Sequence, residues 1–89
     1  MAYNILIEDI RVWKKDCASI PRDRLQLVVR KIYALEKDPW ANNVQVKQLK
    51  EYGIADFRLR VGDYRVLFNK DEDTKTIQLL RLLHRSKLY

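Results

Sequence analysis

The chain has little of what binds metals, closes disulfides or breaks chain direction: one cysteine, one histidine, two glycines and two prolines in 89 residues. A lone Cys17 closes no internal disulfide. With His84 as the single histidine there is no Cys/His cluster of metal-ligand spacing, so a reducing compartment, no structural metal and no cofactor are expected. No carboxylate cluster of the kind a two-metal nuclease needs stands out. Apolar runs fall far short of the roughly 18 residues needed to cross a bilayer. The opening MAYNILIEDIRVWKKD meets acids within ten residues and has no apolar core of a signal peptide. These absences point to a cytoplasmic protein with no membrane partner. Internal repeats and low-complexity tracts are also missing.

What is present fits one globular domain spanning residues 1–89: an apolar fraction of 47% is far too high for a wholly disordered chain, and 34% of residues are charged. The formal charge is +6, unevenly spread. Residues 1–38 carry eight basic and six acidic groups, residues 39–89 ten and six. Three of the later acids, Asp71, Glu72 and Asp73, sit together in what reads as a turn, which leaves the neighbouring strands almost purely basic. A polyanionic partner follows from such asymmetry, nucleic acid before membrane.

The few prolines and glycines punctuate the chain. YNILI, residues 3–7, reads as a first strand. Ile10, Trp13 and Cys17 then recur at helical spacing, Ser19-Ile20-Pro21 interrupts, and Leu25, Val28, Val29, Ile32 and Leu35 form the apolar stripe of a second helix that ends before Asp38-Pro39. Residues 40–56 read as a connection in which Val44, Val46 and Leu49 pack on the domain and Gly53 marks a turn. The period then becomes two: Phe57 to Val61, Tyr64 to Asn69 and Ile77 to Leu83 read as three strands. The expected fold class is α+β, in the order β-α-α-β-β-β, with a helical hairpin packed on a mainly antiparallel twisted sheet.

Gly62-Asp63 suits a two-residue type II′ hairpin. Val61 then faces Tyr64, Arg60 faces Arg65, and Leu59 faces Val66. Side chains alternate across a strand, so Arg58, Arg60 and Arg65 share one face while Phe57, Leu59, Val61, Tyr64, Val66 and Phe68 share the other. Like charges directly opposite are unfavourable by roughly 0.2–1 kcal/mol per pair. The Arg60/Arg65 pair therefore suggests an anion site, the alternative being that both reach into water or are neutralised by acids elsewhere.

The ending LLRLLHRSKLY adds His84, Arg85 and Tyr89. A lone histidine is more often structural or exposed than catalytic, and a tyrosine there more often surface decoration; beside a three-arginine face they read as a proton-transfer group and a stacking platform for a nucleobase. Arginines hold phosphate bidentately and stabilise charge developing on it. An RNA 2′-hydroxyl can attack the adjacent phosphodiester without a metal, so metal-free RNA cleavage fits this inventory.

LKEYG, RLRVGDYRVLF and LLRLLHRSKLY, in this order of elements, resemble the RelE branch of the RelE/ParE superfamily of type II toxins, over nearly the whole chain. The resemblance implies a RelE-like fold and a ribosome-dependent endoribonuclease (mRNA interferase) that cuts mRNA in the ribosomal A site, against ribosomal RNA, and so inhibits translation. It also implies a RelB-like antitoxin partner. Residue by residue, it implies that Arg58 and Arg60 engage the scissile phosphate, Arg65 stabilises the transition state, Arg85 serves the leaving oxygen and Tyr89 stacks on the substrate base. The best-known members have lysine at the first two positions, and arginine does not readily release a proton, which leaves His84 as the substitute acid/base. Two further readings remain: a ParE-like inhibitor of DNA gyrase that cleaves nothing, and an inactive relative that only binds antitoxin.

Overall fold

The computed structural model describes residues 3–38, 45–50, 53 and 55–87. Its elements are β1 (Asn4–Ile7), α1 (Ile10–Ala18), α2 (Arg22–Lys37), β2 (Gln45–Gln48), β3 (Phe57–Val61), β4 (Tyr64–Asp71) and β5 (Thr76–His84), followed by a 3-10 turn at Arg85–Lys87. Asp9 caps α1, its carboxylate accepting from the Arg11 and Val12 N–H groups at 3.0 and 3.4 Å. Ser19 closes the same helix by donating its hydroxyl to the Asp16 carbonyl at 2.8 Å. Pro21 precedes the first turn of α2, where a missing N–H costs nothing, and Asp38, held before Pro39, leaves the helical region with φ −158° and ψ 102°.

The strands form one sheet in the order β1-β5-β4-β3-β2, with β1 parallel to β5 and every other pair antiparallel. The fold is α+β, as expected, with one strand more than the sequence pattern suggested. β2 lies inside the stretch read as a connection. QVKQ contains a single apolar residue, too little for a period-two signal, and it becomes a strand by pairing with β3. Val46 does pack on the core and Leu49 is half-buried, whereas Val44 lies outside the described residues.

The core lies between the helices and one face of the sheet, with Val28, Ile32 and Leu35 of α2 and Trp13 of α1 meeting Leu59, Val66, Phe68, Ile77 and Leu82. Two residues of the predicted apolar stripes stay largely outside it: Ile10 is 50% exposed and Val29 41%. Between β4 and β5 the register steps from Leu67–Arg81 to Phe68–Leu79, leaving Leu80 as the extra residue of a bulge. This shift in phase turns Leu79 and then Leu82 to the core, where strict alternation would have sent Arg81.

Candidate phosphate-binding site

The β3–β4 hairpin pairs Val61 with Tyr64, Arg60 with Arg65, Leu59 with Val66 and Arg58 with Leu67. Its loop is Gly62-Asp63, with φ +58° at Gly62 and a negative φ at Asp63, the sign pattern of a type II′ turn. Arg58, Arg60 and Arg65 thus stand on one side of the sheet, opposite Leu59, Val61 and Val66, which are buried.

The three guanidinium groups differ in what they meet. Arg60 is exposed and Arg58 half-buried, and neither forms a hydrogen bond or ion pair among the described residues. Arg65 is only 7% exposed; its Nη1 donates to the carbonyls of Gly62 at 2.8 Å and Tyr64 at 3.0 Å. The like-charge pair is relieved by Arg65 folding down onto the hairpin while Arg60 remains in solvent. Arg65 therefore braces the turn and lends its positive potential to Arg60 from below.

Arg85 docks on the same turn from β5: its backbone N–H donates to the Asp63 carbonyl at 2.8 Å, and its Nε lies 3.6 Å from Asp63 Oδ1. With both side chains more than 60% exposed, that ion pair contributes at most about 1 kcal/mol, and a stronger anion can displace it. His84 pairs with Tyr64, whose ring packs on the core, so the bulged β5 turns it to the helix side, away from Arg65. The His84 and Tyr64 rings meet edge-on at 5.4 Å and 88°. Ser86 N–H donates to His84 Nδ1 at 3.2 Å, which makes Nδ1 an acceptor and leaves the ring proton on Nε2. Ser86 Oγ bonds the same nitrogen at 2.9 Å. Tyr89 lies outside the described residues.

Lys70, Lys75 and Arg81 are paired with carboxylates. Glu72 accepts from Lys70 at 2.6 Å, Lys75 at 2.9 Å and the Tyr3 hydroxyl at 3.0 Å, and the two lysines hold its carboxyl down at about 2. Burial raises the Tyr3 hydroxyl, with the Glu72 hydrogen bond adding to it. Asp16, on the inner side of α1, accepts from Arg81 Nε at 2.8 Å, Arg81 Nη2 at 3.0 Å and the Leu82 N–H at 3.0 Å, where β1 has ended and the edge of β5 lies open. Burial alone would raise the Asp16 carboxyl; the Arg81 and Leu82 hydrogen bonds outweigh it and hold the group below the usual range.

Sequence reasoning missed Asp16 and Arg81, although a carboxylate three residues after Trp13, on the apolar face of α1, was a signal. It also missed Gln45 and Lys47, which the unrecognised β2 places opposite Arg60 and Arg58 on the arginine face. On the far side of the molecule, a groove of about 390 Å³ runs between β1 and the helices, lined by Ile5, Ile7, Trp13, Val28 and Val29 among others. No cluster of His, Cys, Asp and Glu able to hold a metal ion occurs among the described residues, and no described helix is long and apolar enough to cross a membrane.

The family model described as "ParE toxin of type II toxin-antitoxin system, parDE" matches residues 13–89. Among solved structures, the chain is similar to the RelBE2 toxin–antitoxin complex of Mycobacterium tuberculosis, at 26% identity and a TM-score of 0.78, covering 96% of this chain and 100% of that one. It is similar to the archaeal RelE–RelB complex of Pyrococcus horikoshii at 28% identity and a TM-score of 0.76, covering 98% and 99%. A double mutant of the Escherichia coli toxin RelE in the free state shares the fold at 16% identity and a TM-score of 0.68, covering 100% and 92%. No curated protein sequence matches.

Proposed function

The chain belongs to the ParE toxin family of the RelE/ParE superfamily and is a toxin of the type II toxin–antitoxin class, and from that premise we propose that it is an endoribonuclease cutting mRNA in the ribosomal A site. The observation that carries this reading is the sheet face on which Arg58 and Arg60 stand without a carboxylate partner among the described residues, beside an Arg85 docked on the same hairpin. A toxin that acts by surface contact alone has no need of such a set.

In the reaction, the ribose 2′-oxygen attacks the adjacent phosphorus as its proton departs, and the 5′-oxygen leaves and takes up a proton. The products are a 2′,3′-cyclic phosphate and a 5′-hydroxyl. Arg60 and Arg58 hold the non-bridging oxygens, and their charge offsets what develops on the phosphorane. Arg65 strengthens that field and keeps the turn in shape. Arg85 exchanges Asp63 for the leaving oxygen. His84 is assigned the proton transfer through Nδ1, the nitrogen that carries the lone pair, which takes up the 2′-proton once it releases the Ser86 N–H; standing on the Tyr64 side at the end of β5, it serves a substrate that bends around the hairpin tip. Tyr89 is assigned the base stacking, and a RelB-like antitoxin is the partner that restrains the toxin in the cytoplasm.

A second reading, gyrase inhibition, is favoured by the family match to ParE. Primer extension on mRNA translated in a cell-free system with the purified protein separates the two. New 3′ ends at A-site codons support the ribonuclease. Intact mRNA with blocked DNA supercoiling sinks it in favour of gyrase, and inactivity in both assays leaves an antitoxin-binding relative.

A further inference from the structure

On the arginine face, β2 contributes Gln45 opposite Arg60 and Lys47 opposite Arg58. The sidedness is secure: Val46 packs on the core and its partner Leu59 is fully buried, so the residues flanking Val46 point to the other side. Lys47 is exposed. The sheet therefore carries two like-charge cross-strand pairs on one face, Lys47/Arg58 and Arg60/Arg65, each unfavourable by roughly 0.2–1 kcal/mol.

On β4, β5 and the loop between them the cations differ: Lys70 and Lys75 sit on Glu72, and Arg81 sits on Asp16. Lys47, Arg58 and Arg60 have no carboxylate among the described residues. Arg60 lies two residues along β3 from Arg58, about 6.8 Å, and Lys47 one strand across from Arg58, about 4.8 Å. The cations thus form a bent track leading away from the hairpin turn toward the β2 edge.

We propose that Lys47 forms a second phosphate subsite, which holds the RNA backbone next to the scissile phosphate on Arg58 and Arg60. This rests on the ribonuclease reading and extends its site by one strand. The ligand is the sugar–phosphate backbone of single-stranded RNA. An acidic protein segment fits less well, because a protein partner anchors through apolar side chains. Among the described residues, the exposed large apolar side chains, Leu6, Ile10, Leu27, Val29 and Tyr33, all belong to β1 and the helices.

The test is binding of a single-stranded 2′-O-methyl RNA, which is not cleaved, as a function of salt concentration, for the wild type and for Lys47→Ala, Lys47→Arg, Arg60→Ala and Lys14→Ala. Each lost phosphate contact lowers the slope of log K against log salt by about 0.7 on a single strand. Lys47→Ala and Arg60→Ala are each expected to show that drop. Lys47→Arg keeps the wild-type slope, and so does Lys14→Ala, an exposed lysine on α1. A wild-type slope in Lys47→Ala with a reduced slope in Arg60→Ala overturns the subsite and leaves the ribonuclease reading standing. No binding by the wild type, or no change in either variant, overturns both. Unchanged RNA binding together with weakened antitoxin binding in Lys47→Ala reassigns this edge to a protein partner.

Discussion

Asp16→Ala tests how the end of β5 is held. Asp16 is 9% exposed and receives three hydrogen bonds, two from Arg81 and one from the Leu82 backbone. Removing one partner of a fully buried pair costs about 3–5 kcal/mol, and an orphaned buried N–H about 1–3 kcal/mol. The Arg81 side chain is 39% exposed and can turn partly into water, so the charge component is discounted. A net loss of about 2–4 kcal/mol remains, out of a total stability of roughly 4–13 kcal/mol for a chain of this length. At about 4–8 °C per kcal/mol, Tm falls by at least about 8 °C, measured by circular dichroism. Asp16→Asn keeps one acceptor and loses less. The wild-type carboxyl is held below its ordinary range, so its contribution is full above the unfolded value and fades as pH falls through the folded one. The stability of Asp16→Asn is correspondingly flatter in acid. A Tm drop below about 3 °C in Asp16→Ala would refute the claim that this carboxylate secures the strand edge.

Arg85→Ala and Arg65→Ala separate chemistry from support. Arg85→Ala abolishes growth arrest with a stability loss below about 1 kcal/mol, since its ion pair is exposed. Arg65→Ala abolishes growth arrest and also lowers stability by about 1–3 kcal/mol through the lost turn contacts; urea unfolding measures both, and equal stability of the two variants contradicts the buried role of Arg65. Gly62→Ala meets no atom within 4 Å but forces an L-residue to φ +58°, a loss of about 1–2 kcal/mol in the same assay. Glu72→Gln lowers Tm at neutral pH and removes the part of acid denaturation that runs from the ordinary carboxyl value of 4.5 down to about 2, because that carboxylate stabilises only while ionised. An unchanged Tm–pH curve would disconnect Glu72 from Lys70 and Lys75.

Local chemistry determined much from the sequence alone. The hairpin register followed from Gly62, which can take positive φ, and from the apolar alternation on both sides, which Leu67 alone interrupts. The helix limits followed from Pro21 and from Asp38 before Pro39, because backbone sterics act within one or two residues. The shared side of Arg58, Arg60 and Arg65 was legible for the same reason, since sidedness in a hairpin needs only the turn and a period of two.

The tertiary structure decided what alternation does not carry. β2 is a strand because β3 offers it an edge, and only that pairing puts Lys47 beside Arg58. Leu80 is bulged out because Leu79 and Leu82 both bury side chains, and that shift turns His84 to the side of the sheet opposite Arg65. Arg65 bends to the hairpin carbonyls because Arg60 occupies the same face, and Asp16 is ionised inside the domain because β1 ends before β5 does. Apart from the local Arg65 contacts, these depend on groups far apart in the chain meeting at a distance of a few ångströms, which no local period encodes.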